Sequence, residues 1–155
     1  MKQPRFGDDV GVRVARAISK LKGIDPEKSS VVDLGCGNGA FLLDLHEEGF
    51  RKLCGIDYSQ YAVGLAKQVA ESKGVEVECQ TFDLLGDSAM PRKFQVVHDK
   101  GTFDAICLNK EANRKLYSKN VLRMMDLEYE DCYFVITSCN WTKEELLLNF
   151  SAGMM

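Results

Sequence analysis

No Cys-x-x-Cys pair occurs among the six cysteines of this 155-residue chain, which stand at positions 36, 54, 79, 107, 132 and 139. Zinc and thioredoxin-like motifs therefore lack their defining spacing; no metal is expected, and buried, reduced thiols are. No apolar run is long enough to cross a bilayer. The first 30 residues, broken by Arg5, Asp8, Asp9, Arg13 and Arg16, hold no uninterrupted apolar core of a secretion signal. A cytoplasmic location, with the nucleus beside it, is expected, and no membrane partner. Proline is scarce, at three residues, and no linker, repeat or low-complexity tract divides the chain, so residues 1–155 read as one domain. Basic residues are mixed among acids at a formal net charge of −3. Nucleic acid is a poor partner for such a surface, because phosphate contacts need concentrated positive charge.

What is present is a globular apolar share of 45% and one unusual run, Val31-Val32-Asp33-Leu34-Gly35-Cys36-Gly37-Asn38-Gly39-Ala40-Phe41. A β-branched pair leads into alternating glycines, and Phe41, Leu42 and Leu45 then fall on one helical face. The pattern reads strand, tight turn, helix. Glycines permit positive φ and keep side chains away from a ligand, while the helix start presents unpaired N–H groups. Gly35-x-Gly37-x-x-Ala40 also satisfies the dinucleotide fingerprint, with Asp57 about 20 residues further on as the ribose-binding acid. A nicotinamide dehydrogenase is thus compatible with the loop alone.

The rest of the chain alternates strands and helices. Helices are expected at about Asp9–Lys22, Ala40–Glu48, after Ser59 as N-cap, at about Asn113–Met125, and from Thr142, where Thr142-x-x-Glu145 has the capping-box form. Strands are expected near Ser30–Leu34, Leu53–Ile56, Val75–Gln80, Phe94–His98 and Cys132–Thr137. Such alternation predicts a doubly wound parallel α/β sheet covered on both faces. Ligands of these sheets bind beyond the carboxyl ends of the strands, where Gly35, Asp57, Asp83, Asp99 and Ser138 fall. Acids at the ends of four successive strands, Asp33 among them, are expected to surround a doubly cationic ligand. His98, within an apolar strand, reads as a core histidine.

The run from Asp33 to Gly39 resembles the Asp-x-Gly-x-Gly-x-Gly motif of the S-adenosylmethionine-dependent methyltransferases. His98-Asp99-Lys100-Gly101-Thr102 resembles the Asp-Lys-Gly-Thr motif of the seven-strand protein-lysine methyltransferases that act on translation elongation factor 1-alpha. Ser138-Cys139-Asn140-Trp141-Thr142 is similar to that family's segment after strand five. The likeness runs from about Arg5-Phe6-Gly7 to Phe150. It implies a Rossmann-like fold, S-adenosyl-L-methionine as cofactor with S-adenosyl-L-homocysteine as product, and methyl transfer to a lysine ε-amine of elongation factor 1-alpha. The cofactor residues it implies are Asp33, Gly35, Cys36, Gly37, Asn38, Gly39, Asp57, Tyr58, Asp83, Leu84 and Asp99. Tyr58 packs on adenine or is a turn aromatic, and Asp83 meets the adenine amine. Asp99 is expected to orient the incoming ammonium, with Asn140 and Trp141 lining the lysine channel.

The family's pattern also holds an N-terminal segment and a final antiparallel hairpin that have no counterpart here, so the domain is expected to be incomplete at its C-terminus. The fifth strand then becomes an edge, and self-association through it is expected. Binding of cofactor or partner proteins without turnover is the alternative function. A nucleic-acid adenine methyltransferase is discounted, because His98-Asp99-Lys100-Gly101 stands where Asn-Pro-Pro-Tyr should.

Overall fold

The computed structural model describes residues 8–107 and 110–153; Arg5, Phe6 and Gly7 lie outside the described residues. Its elements run α1 (Asp8–Ser19), β1 (Ser30–Leu34), α2 (Ala40–Glu47), β2 (Lys52–Asp57), α3 (Gln60–Ser72), β3 (Glu78–Thr81), β4 (Val96–Lys100), α4 (Thr102–Cys107), α5 (Glu111–Met124), β5 (Tyr133–Thr137) and α6 (Lys143–Gly153). All strands pair in parallel, in the order β3-β2-β1-β4-β5. Each parallel pair needs a crossover, and the helices supply it. The chain reverses its direction of growth between β3 and β4, which puts a topological switch at β1 and β4.

Successive side chains of a strand point to opposite faces, and the core divides accordingly. Val31, Leu53 and Val96 pack with Ala15, Ile18, Leu42, Leu45 and Val63, under α1, α2 and α3. Val32, Leu34, Ile56 and Val97 pack with Phe103, Tyr117, Val121 and Met124, under α4 and α5. The sheet is therefore doubly wound, as the sequence pattern predicts. The strands buried on both faces carry near-continuous apolar runs for that reason.

Local chemistry explains the element ends. Ser59 caps α3 by accepting the Ala62 N–H at 3.2 Å. Thr142 and Glu145 exchange both bonds of a capping box at the start of α6, at 2.7 and 3.2 Å. The third strand begins at Glu78 rather than Val75, because the Val75 N–H closes α3 by donating to Ala70 O at 2.9 Å. The first helix ends at Ser19, not Lys22, where Lys20 and Leu21 tighten into turns that donate to Ala17 O and Ile18 O. The six-residue α4 has no apolar period of its own to betray it. Its start is set by side-chain bonds described below. No described helix is long and apolar enough to cross a membrane.

Candidate active site

A cavity of about 480 Å³ opens beyond the carboxyl ends of β1, β2, β3 and β4. Its floor includes Gly35 and Ile56, its rim carries Asp57, Tyr58 and Asp83, and Phe82, Leu84 and Ile106 give it apolar walls. That size and mixture suit a small organic ligand held by a few polar groups. A wider cleft of about 680 Å³ lies elsewhere, among Arg51, Lys52, Glu71, Glu76, Glu78 and Arg92. It sits by the amino ends of β2 and β3 and holds none of the expected residues, so the fold rule favours the smaller cavity.

The glycine turn is built from two different requirements. Gly35 has φ +66°, and a Cβ placed on it would lie 2.0 Å from the Thr102 Oγ1. That hydroxyl is fixed by donating to Leu34 O at 2.9 Å, so β1 and the start of α4 are tied together across the space a side chain would need. Gly37 has φ +53° with nothing within 4 Å of the same position, so its turn opens towards free space. Cys36 donates its N–H to Ile56 O at 2.9 Å and points its thiol into the core. A hydrogen bond with Cys79, with burial behind it, pushes the Cys36 thiol far up, and the same bond lowers Cys79. Asn38 is exposed and accepts the Ala40 N–H through Oδ1 at 3.0 Å, which turns the chain into α2. The Gly39 N–H donates to Cys36 O at 2.9 Å.

Asp57 joins loop to strand. Its Oδ2 accepts the Gly37 N–H and its Oδ1 the Ser59 N–H, both at 3.0 Å. Each oxygen keeps a further lone pair for a ligand hydroxyl. Tyr58, directly after it, is largely exposed. Asp83 is exposed, and its Oδ1 accepts the Leu85 N–H at 2.9 Å.

The expected ring of four carboxylates around the ligand is divided by the structure. Asp57 and Asp83 reach the cavity; Asp33 and Asp99 do not. Sheet geometry is the cause. Asp33 and His98 are partners in the β1–β4 register, and both turn to the α2 face. There the His98 Nδ1 lies 2.9 Å from Asp33 Oδ1, and Phe41 stacks on the imidazole at 3.9 Å. His98 is wholly buried, and its Nε2 has no hydrogen-bond partner.

Asp99 turns to the opposite face and is also wholly buried. Its Oδ1 accepts the Thr102 N–H at 2.8 Å, its Oδ2 accepts the Phe103 N–H at 2.9 Å, and the Tyr117 hydroxyl donates to the same Oδ2. Burial pushes its carboxyl up to about 6, against the lowering effect of these three donors and of His98. The Tyr117 hydroxyl is driven well above its ordinary value, by burial first and by Asp99 second.

Asn140 is exposed and Trp141 half-buried, and neither lines the cavity. The Trp141 ring packs on Phe103 with centroids 5.6 Å apart, and the Arg114 guanidinium lies over it at 5.6 Å. The cation position on that indole is thus taken by the chain's own arginine. Several residues that shape the site carry no motif signal. Asn120, buried on α5, donates to Leu84 O at 2.6 Å and Gly86 O at 3.1 Å and so holds the cavity wall after β3. A polar residue inside the buried Tyr117-Asn120-Val121-Met124 face was its readable sign. Among the described residues, no group of three or more His, Cys, Asp or Glu side chains could hold a metal.

A doubly wound sheet with a glycine turn, a strand-two acid and a cavity at the switch point defines a nucleotide-cofactor-binding α/β protein. The family model described as a methyltransferase domain matches residues 25–154, and the chain belongs to that family. The chain is 41% identical over 152 residues to EEF1A lysine methyltransferase 2 of Homo sapiens, a match covering 96% of this chain and 62% of that protein. It is 44% identical over 130 residues to the protein-lysine N-methyltransferase EFM4 of Saccharomyces cerevisiae, covering 78% and 56%. The chain thus spans about six tenths of the length of these curated relatives. Among solved structures, a TehB-like SAM-dependent methyltransferase from Corynebacterium glutamicum superposes with TM-score 0.68 at 20% identity, over 92% of this chain and 71% of that one. The glycopeptide N-methyltransferase MtfA complexed with S-adenosyl-L-methionine gives TM-score 0.60 at 16% identity, over 75% and 50%. These two likenesses concern the fold.

Proposed function

We propose that this domain binds S-adenosyl-L-methionine and transfers its methyl group to a lysine ε-amine of a protein substrate, for which elongation factor 1-alpha is the candidate. The observation that carries the reading is the cavity itself. A glycine turn that meets the cavity at Gly35, an acid bonded to that turn and an apolar slot after β3 converge on one volume large enough for a nucleoside cofactor. Likeness to EEF1A lysine methyltransferase 2 supports lysine as the acceptor.

The residues present fit that cofactor. Asp57 would take the ribose hydroxyls on the lone pairs its backbone bonds leave over. Asp83, Leu84 and Phe82 would hold the base, and the backbone of residues 35–37 the amino-acid part. Bound there, S-adenosyl-L-methionine supplies a methyl group on a sulfonium centre that an amine displaces in line. The chain needs no nucleophile of its own for this. Its contribution is to align the two reactants and to keep water from the amine. Asp99, buried and absent from the cavity lining, is given no contact with the amine in this reading. Its task in this reading is to fix the first turn of α4, whose Ala105 and Ile106 form the cavity wall.

The Asp57 assignment has a direct test. Asp57→Ala removes charge-assisted bonds worth about 1.5–3 kcal/mol, so S-adenosylhomocysteine affinity measured by calorimetry should fall roughly 10- to 150-fold. An affinity within a factor of two of the parent would remove Asp57 from the site.

Lysine transfer is tested by titrating the chain with S-adenosylhomocysteine and assaying radiolabelled methyl incorporation into elongation factor 1-alpha. Binding with incorporation supports the reading. Binding without incorporation favours the second reading, a cofactor- or partner-binding form. A cytoplasmic or nuclear location and self-association along β5 belong to the same proposal. The latter is supported by β5 lying at the sheet edge with every residue only half-buried; a monomer in sedimentation at high concentration would exclude it.

A further inference from the structure

Asp104 is a buried carboxylate to which the cofactor reading gives no task. It sits in the middle of α4, on the turn of helix whose next two residues, Ala105 and Ile106, line the cavity. Its own side chain points away from that cavity into the segment after β5. Oδ1 accepts the Ser138 hydroxyl proton, and Oδ2 accepts the Cys139 N–H at 2.8 Å. Ser138 Oγ then accepts the N–H groups of Asn140 at 3.2 Å and Trp141 at 3.1 Å. One carboxylate therefore fixes four consecutive residues of a turn that is otherwise outside regular structure. A second tether lies beside it, where the Gly101 N–H donates to Thr137 O at 3.2 Å.

Such an arrangement is costly unless the turn must hold one position. A buried carboxylate must recover its lost hydration through charge-assisted bonds, and Asp104 draws them from the turn. The turn stands next to the 100–102 segment at the cavity's mouth, and the Trp141 ring rests on Phe103 of α4. Helix and turn thus move as one body, with the cofactor cavity on one side of α4 and the anchored turn on the other.

We propose that Asp104, acting through Ser138, is the positioning residue that sets the Ser138–Trp141 turn against α4, and that this turn forms the protein-substrate side of the site. The inference rests on the lysine-transfer reading for its functional half; its structural half stands apart from it. Cofactor contacts lie on the other side of α4, so loosening the turn should leave cofactor affinity alone. Substrate docking should suffer.

Trp141 is the chain's single tryptophan, so its fluorescence reports this turn and its packing on Phe103 and Arg114. Asp104→Ala and Ser138→Ala should raise acrylamide quenching of Trp141 severalfold while S-adenosylhomocysteine affinity stays within about threefold of the parent. KM for the protein substrate should rise about tenfold to a hundredfold, the scale expected of a misplaced reactant, with kcat less affected. Ser138→Thr, which keeps the hydroxyl, should restore both readouts. Unchanged quenching in Asp104→Ala overturns the tether. Raised quenching with unchanged KM overturns the positioning role, as does an equal loss of cofactor affinity, which would mark general damage to α4. If the parent itself transfers no methyl group, the lysine reading and with it the substrate-side role are wrong, whereas the tether is still decided by quenching.

Discussion

Gly35→Ala should abolish cofactor binding and lower the melting temperature by roughly 4–20 °C, the shift expected of a 2–5 kcal/mol loss in a domain of this size. Two costs add. The residue has φ +66°, a left-handed conformation that costs a side-chain-bearing residue about 1–2 kcal/mol. The new Cβ would also lie 2.0 Å from Thr102 Oγ1, and the hydroxyl cannot simply swing away, because it is bonded to Leu34 O. Overpacking of that kind costs about 1–3 kcal/mol and moves backbone. Here the backbone that moves joins β1 to α4, the two elements that form the cavity floor and wall. Gly37→Ala separates the two effects. With φ +53° and open space around the added methyl, it should cost only about 1–2 kcal/mol of stability, with no clash of the kind met at Gly35. Calorimetry with S-adenosylhomocysteine beside a thermal melt checks both. Equal stability losses in the two variants would mean that Thr102 does not set the requirement at Gly35. Addition of Thr102→Ala to Gly35→Ala should recover the overpacking share and leave the φ cost.

The same comparison shows what the sequence discloses and what it hides. Strand ends, the glycine turn and the acid Asp57 are legible because each depends on residues close together in the chain: a β-branched pair, alternating glycines, an acid closing an apolar strand. The direction in which a strand-end acid points is a different matter. Asp33, Asp57, Asp83 and Asp99 look alike in the sequence, but the period-two alternation of the sheet sends Asp33 under α2 and Asp99 under α5. What each then meets lies far off in the chain: the neighbouring-strand residue His98, 65 positions from Asp33, and the helix residue Tyr117, 18 from Asp99. The pairing of Asp33 with His98 could have been read from the β1–β4 register once the strand order was fixed, since both residues occupy the same face of adjacent strands. Asp104, Asn120 and Ser138 are less accessible still. Their partners are side-chain and backbone groups of distant segments, and no spacing rule connects a helix residue with a loop 34 residues on.

Asp99 carries the second large effect, and its signature is pH. Its carboxyl is held at about 6 in the folded protein, chiefly by burial, against 3.8 in the open chain. A group raised on folding contributes its full stability below the unfolded value and loses it as pH rises through the folded one. Between about pH 4 and pH 6.5 the protein should therefore lose about 2 kcal/mol through this residue. Asp99→Asn removes the titration and keeps one oxygen for the Thr102 N–H; its amide nitrogen takes the place of Oδ2, donating to the Tyr117 oxygen and leaving the Phe103 N–H unpaired, a cost of about 1–3 kcal/mol that does not vary with pH. Relative to the parent, Asp99→Asn should therefore gain about 2 kcal/mol in urea unfolding on going from pH 4 to pH 7. Asp99→Ala behaves differently at every pH. It strands two backbone N–H groups and the buried Tyr117 hydroxyl, each costing about 1–3 kcal/mol, and should leave α4 without a fixed start. Adding Tyr117→Phe to that variant removes one stranded donor and should recover part of the loss. Parallel pH profiles for parent and Asp99→Asn would assign the titration to a group other than Asp99, the buried carboxylate on which the first turn of α4 is built.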